Sequence, residues 1–154
     1  MDYLTVKWLH VLSSTVLFGT GLGSAFYLFS TSRTADARVI AVVARRVVLA
    51  DWLFTTPTAI IQPATGFYLA HLAGLPLSAT WLWASIALYV VAAACWISVL
   101  PLQIRMAAIA RAAAVAGSDL PPGFWRYHAA WTALGVPAFA AFVAIFWLMV
   151  VKPG

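Results

Sequence analysis

Five ionisable side chains, Lys7, His10, Asp51, His71 and His128, fall inside or at the edges of long apolar stretches. A charge in the middle of such a stretch costs on the order of 2.5–3.5 kcal/mol on membrane-insertion scales, so each position calls for a chemical reason. His10 stands about two helical turns into the first stretch. On a helix it shares a face with Lys7, Ser14, Leu17 and Gly21, at i−3, i+4, i+7 and i+11. A neutral imidazole there can ligate a haem iron or another metal, or pass protons. It can equally be held by a hydroxyl or a carbonyl of a neighbouring helix. His71 ends the second stretch on the same side of the molecule, and His10 and His71 could serve one haem from two helices, although the helical rise separates them by about 10 Å. His128 lies at the opposite end, beside Trp125 and Tyr127, where an interfacial role is expected. Asp51 opens the second stretch and is expected to pair with Arg46, Arg105 or Arg126, with a proton-relay role as the alternative.

The second stretch also holds Thr55, Thr56, Pro57, Thr58, Gln62, Pro63, Thr65 and Gly66. Each proline removes a backbone donor and frees a carbonyl one turn earlier, at Leu53 and at Ala59. The threonine hydroxyls can satisfy those carbonyls, leaving a bent helix with a polar lining. In the first stretch, Gly19 and Gly23 form a small-x-x-x-small face suited to close helix approach, or to a flat macrocycle. No strand precedes the run Gly19-Thr20-Gly21-Leu22-Gly23, so a nucleotide fingerprint is a poor reading of it. The single Cys95 rules out an intrachain disulfide and a cysteine-based metal cluster. No nucleophile–base pair, paired carboxylate or phosphate loop is present.

The elements that carry these residues follow from composition. Hydrophobic residues make up 64% of the 154-residue chain and charged residues 8%. That is too few charges for the surface of a water-soluble domain. Four stretches are long enough to cross a bilayer core as helices: about 4–29, 47–72, 80–104 and 127–151. The expectation is a single all-α domain, a four-helix transmembrane bundle. The start lacks the basic region of a signal peptide, so the first stretch is read as a retained span. Arg33, Arg38, Arg45 and Arg46 fall between the first and second spans, and Arg105, Arg111 and Arg126 between the third and fourth. Only Lys7 and Lys152 lie at the other end. The positive-inside rule then places both termini outside (N-out/C-out) in a bacterial cytoplasmic membrane. Trp8, Trp81, Trp83 and Trp147 gather towards the outer interface; Trp52, Trp125, Tyr127 and Trp131 gather towards the inner one. The segment 35–50 is expected to be a helix running into the second span, and Asp119 with Pro121-Pro122-Gly123 marks a turn. The net charge of +5 belongs to this topology and to anionic lipid, not to nucleic acid.

The stretch from Val6-Lys7-Trp8-Leu9-His10 to Phe18-Gly19-Thr20-Gly21 resembles the opening of a family of small bacterial predicted integral membrane proteins of unknown function. The runs Val48-Leu49-Ala50-Asp51-Trp52-Leu53-Phe54-Thr55-Thr56-Pro57 and Gln62-Pro63-Ala64-Thr65-Gly66 fit the same pattern. The resemblance covers essentially the whole chain and implies four helices without an established activity. Lys7-Trp8-Leu9-His10 alone is similar to the first-helix Lys-x-x-His of membrane-bound protoporphyrinogen IX oxidases and of copper-resistance membrane domains. That likeness implies haem b with His10 as an axial ligand. Those oxidases also rely on a lysine deeper in the chain, and here no lysine occurs between Lys7 and Lys152. The leading expectation is therefore a haem b-binding electron-transfer or membrane redox protein, an oxidoreductase if it is an enzyme. His10 and His71 would be its metal ligands, with Ser14 and Gly21 beside the cofactor. The alternatives are a small-solute or ion permease along the second span, with Asp51 at its inner mouth, and a non-catalytic membrane subunit. Expected partners are the lipid bilayer and either a second copy of the chain or a membrane redox partner.

Overall fold

The computed structural model describes residues 2–153. Among them the chain forms five α-helices and one π turn, with no strand: α1 (Tyr3–Ser32), α2 (Ala37–Ala50), the π turn (Asp51–Thr55), α3 (Thr56–Leu72), α4 (Thr80–Ala116) and α5 (Pro122–Val151). The segment α2–π turn–α3 is helical without a break, so the architecture is a four-helix bundle. α1, α4 and α5 are each long and apolar enough to cross a membrane. The expected second span, 47–72, is shared between the end of α2, the π turn and α3, and α3 alone has 17 residues.

Each helix boundary has a local cause. The Asp2 carboxylate accepts the Thr5 amide at 2.8 Å and caps α1. Asp36 does the same for α2 through the Arg38 amide, also at 2.8 Å. Gly74 and Gly117 take φ values of +63° and +62°, a left-handed conformation that glycine adopts without a side-chain clash. They let the amides of Leu75 and Ser118 fold back onto the carbonyls of Ala70 and Ala113, ending α3 and α4. Pro121 is extended, and Pro122 begins α5, where its missing N–H is no loss.

Two boundaries differ from expectation. α4 runs on to Ala116 instead of ending near 104, and α5 begins at Pro122 instead of near 127. The cause lies in the pattern beyond the apolar run. Met106, Ala110 and Ala113 recur at helical spacing and are buried, while Arg105 and Arg111 stay exposed. The helix therefore continues as an amphipathic rod past the lipid. α2 supplies the matching face with Ala37, Ile40, Ala44 and Val47 buried. Leu28, Leu120, Phe124 and Trp131 complete a dense core at the arginine-bearing end of the bundle. Away from that end, α1 packs on α3, α4 packs on α5, and the two pairs meet only sparsely.

Phe124 is fully buried at the centre of this core. Phe124→Ala is expected to destabilise the bundle by about 3–5 kcal/mol, the usual cost of truncating a buried aromatic ring. The readout is the midpoint of chemically induced unfolding in micelles. A loss below about 1 kcal/mol would show that another part of the molecule holds the helices together.

Candidate functional site

Between the two helix pairs lies a cavity of about 700 Å³, partly open to the lipid. Its α1 wall begins at Leu17, and its rim residues Phe26, Ile60, Ile97 and Val136 are exposed to the membrane. The walls are overwhelmingly apolar and rich in aromatic rings. Towards the outer side Phe18 stacks on Phe139 at 5.5 Å and meets Phe146 edge-on at 5.3 Å, bridging α1 and α5. Val47 and Trp131 belong both to the cavity lining and to the dense core, so the core forms the cavity's inner end.

Asp51 also lines this inner end. It continues the buried stripe of α2 four residues beyond Val47, so the helix turns it inward, and it is only 5% exposed. The expected pairing with arginine does not occur. Thr55 donates its hydroxyl to one carboxylate oxygen at 2.8 Å, and the Gln103 amide donates to the other. Arg105 instead donates to the Tyr127 hydroxyl at 3.1 Å, and Arg46 and Arg126 are exposed. Trp131, assigned from sequence to the interfacial belt, is buried and donates its indole N–H to the Gln103 carbonyl at 3.3 Å. An indole can only donate, which fixes the orientation of the Gln103 amide: oxygen towards Trp131, nitrogen towards Asp51. Every side chain bonded to the Asp51 carboxyl is thus a donor.

The π turn and the prolines shape the same wall. Thr56 donates both its amide and, at 2.9 Å, its hydroxyl to the Asp51 carbonyl. Thr58 donates to the carbonyls of Phe54 and Thr55. The carbonyl of Ala59, freed by Pro63, accepts the hydroxyl of Tyr89 from α4. A threonine was the expected donor there. The helix across the bundle supplies it instead.

His10 lies outside the cavity lining, in the contact between α1 and α3. Thr65 commits its hydroxyl hydrogen to the Ile61 carbonyl at 2.8 Å. Its oxygen can therefore only accept from His10, and does so from Nδ1 at 2.8 Å. That assigns the Nδ1–H tautomer and leaves Nε2 as an acceptor for the Gln62 amide at 3.1 Å. A Cβ added to Gly66 would stand 3.2 Å from His10 Cε1, so glycine lets the ring lie against the α3 backbone. Nearby, Ser13 donates to the Thr58 carbonyl at 3.4 Å. In this arrangement His10 fastens α1 to α3.

The other residues singled out from sequence are scattered. Ser14 donates to the Val11 carbonyl of its own helix at 2.8 Å. His71 is exposed at the end of α3, about 9 Å further along the helix than Thr65, so it and His10 do not face one iron. Gly21 does line the cavity. Gly19, Gly21 and Gly23 have open space where a Cβ would stand, so no other helix of this chain approaches them closely. His128 packs among Phe29, Phe124, Trp125 and Trp131. Among the described residues no group of three or more His, Cys, Asp or Glu side chains could hold a metal ion. Among the same residues no His, Cys or Met lines the cavity. As folded, His10 offers haem no free ring nitrogen. Gln103 and Tyr89 were not singled out from sequence, although an amide and a phenol inside a long apolar run were the available signals.

Fold and site together define a polytopic helical membrane protein built around an intramembrane cavity with one acidic residue in its wall. The family model for predicted integral membrane proteins designated DUF2269 matches residues 4–153, and the chain belongs to that family. No curated protein and no solved structure matches it.

Tyr89→Phe is expected to cost about 1–3 kcal/mol, because the Ala59 carbonyl loses its donor in a low-dielectric setting. In a Pro63→Ala background the restored backbone N–H takes over that carbonyl, and the cost of Tyr89→Phe should shrink. Unfolding free energies of the four proteins in this cycle provide the check; equal costs in both backgrounds would disprove the link between proline and tyrosine.

Proposed function

We propose that this protein binds a lipid-soluble small molecule in the cavity between α1–α3 and α4–α5. The observation that carries the proposal is the cavity: about 700 Å³, apolar and aromatic in its walls, with a few oriented polar groups at one end. That combination is typical of small-molecule sites. Its rim faces lipid, and its inner end is closed by the Phe124 core, so ligand exchange with the bilayer is easier to support than passage across it. The arginine distribution supports a bacterial cytoplasmic membrane with the core end inward.

Haem b at His10 is the rival. It requires the imidazole to leave both Thr65 and Gln62. Protein purified from haem-replete cells that shows a Soret band lost in His10→Ala would establish it, and colourless protein would remove it.

The cavity itself is tested by filling it. Gly21 and Gly135 both line it and both have open space beside their Cα atoms. Gly21→Phe combined with Gly135→Phe should leave the fold intact and displace whatever small molecule co-purifies in mild detergent, as read by mass spectrometry of the extracted protein. An unchanged extract from the filled variant would overturn the proposal.

A further inference from the structure

Asp51 has a feature that the cavity reading leaves unexplained. Its two side-chain partners, Thr55 and Gln103, both donate to it, and Trp131 fixes the orientation of the Gln103 amide. A site arranged in this way is built to hold a carboxylate. Yet among the described residues no Lys, Arg or His lines the cavity. A buried carboxylate with neutral donors but no counter-charge is costly in a low-dielectric surrounding. The lining that Asp51 shares is rich in aromatic rings, among them Phe18, Phe29, Tyr89, Trp96 and Phe142. Aromatic faces carry negative electrostatic potential and attract cations, most strongly where water is excluded.

We infer that the cavity takes a lipophilic monocation, whose charge Asp51 neutralises and whose apolar groups the aromatic walls enclose. This rests on the cavity being a ligand site. It adds the sign of the ligand's charge and names the residue that reads it. An anionic lipid or fatty acid would meet the carboxylate as a like charge and is disfavoured. A neutral ligand would leave Asp51 without its counter-charge.

Two probes of nearly the same shape and opposite charge separate these cases: tetraphenylphosphonium and tetraphenylborate. Equilibrium dialysis against the full chain in nanodiscs of zwitterionic lipid, with empty nanodiscs as the blank, measures saturable binding of each. The expected result is saturable binding of tetraphenylphosphonium, weakened roughly tenfold or more in Asp51→Asn, the scale of a lost charge-assisted contact. Tetraphenylborate should bind the native protein more weakly, and Asp51→Asn should narrow the gap between the probes. Gly21→Phe with Gly135→Phe should abolish binding of the cation, which locates it in the cavity.

If both probes bind equally, or Asp51→Asn leaves the cation's affinity unchanged while the filled variant still loses it, the charge assignment is overturned and the cavity reading stands. If neither probe binds saturably, the charge assignment is overturned too, and the co-purified extract decides the cavity reading separately. Helical circular dichroism and elution volume of Asp51→Asn show whether its fold is retained. A variant that does not fold is replaced by Asp51→Glu, which keeps the charge and should retain preference for the cation over the anion; loss of that preference in folded Asp51→Glu would count against the assignment.

Discussion

An indole N–H can donate a hydrogen bond and cannot accept one, and the inner end of this bundle depends on that asymmetry. Trp131 compels Gln103 to turn its oxygen outward and its nitrogen towards Asp51. The chain of bonds links α5, α4 and the π turn, three segments that sequence separation does nothing to bring together. In a low-dielectric setting each such bond is stronger than in water, and each broken one leaves a costly orphan. The network therefore serves two ends: it sets the relative positions of three helices and holds an acceptor at the edge of a cavity with no other formal charge among the described residues.

The same physics governs the second span. Lipid offers no water to a carbonyl that a proline has released, so the protein must supply each donor itself. Near the π turn the threonines donate to carbonyls that no proline has released, Thr56 to that of Asp51 and Thr58 to those of Phe54 and Thr55. At Ala59 the donor comes across the bundle from Tyr89. The hydroxyl of Tyr89 thus joins α4 to α3 beside the cavity, where the two helix pairs otherwise scarcely touch. The gap there is spanned by this polar contact and, towards the outer side, by the rings of Phe18, Phe139 and Phe146.

The bundle was legible in the sequence because length and hydropathy are local properties, and so was the amphipathic helix carrying Arg38, Arg45 and Arg46 into the second span. The extension of α4 to Ala116 was not, since its small buried residues Ala110 and Ala113 look like any alanine-rich stretch until α2 supplies the opposing face. Inward placement of Asp51 could be inferred from spacing; its partners could not. Charge complementarity pointed to arginine, but the arginines lie at the exposed end, and the amide of Gln103 is what comes within reach. His10 illustrates the converse. Its position invited metal chemistry, while the threonine and glutamine that occupy its nitrogens lie more than fifty residues away in sequence. Small residues read differently within the chain: Gly21 and its neighbours stand beside open space.

Dense packing at one end and a gap in the middle also constrain how the molecule can work. A route across the membrane would have to pass the Phe124 core, where Leu28, Ile40, Met106 and Ala110 are fully buried. It would also have to break the bonds from Thr55 and Gln103 to Asp51, leaving a carboxylate and an amide unpaired at the same moment. Entry from the side needs neither. Phe26, Ile60, Ile97 and Val136 already stand at the lipid boundary, and movement of such apolar side chains exchanges one hydrocarbon contact for another at little cost. Under the proposed reading, this asymmetry favours exchange between the cavity and the bilayer over passage past the inner core.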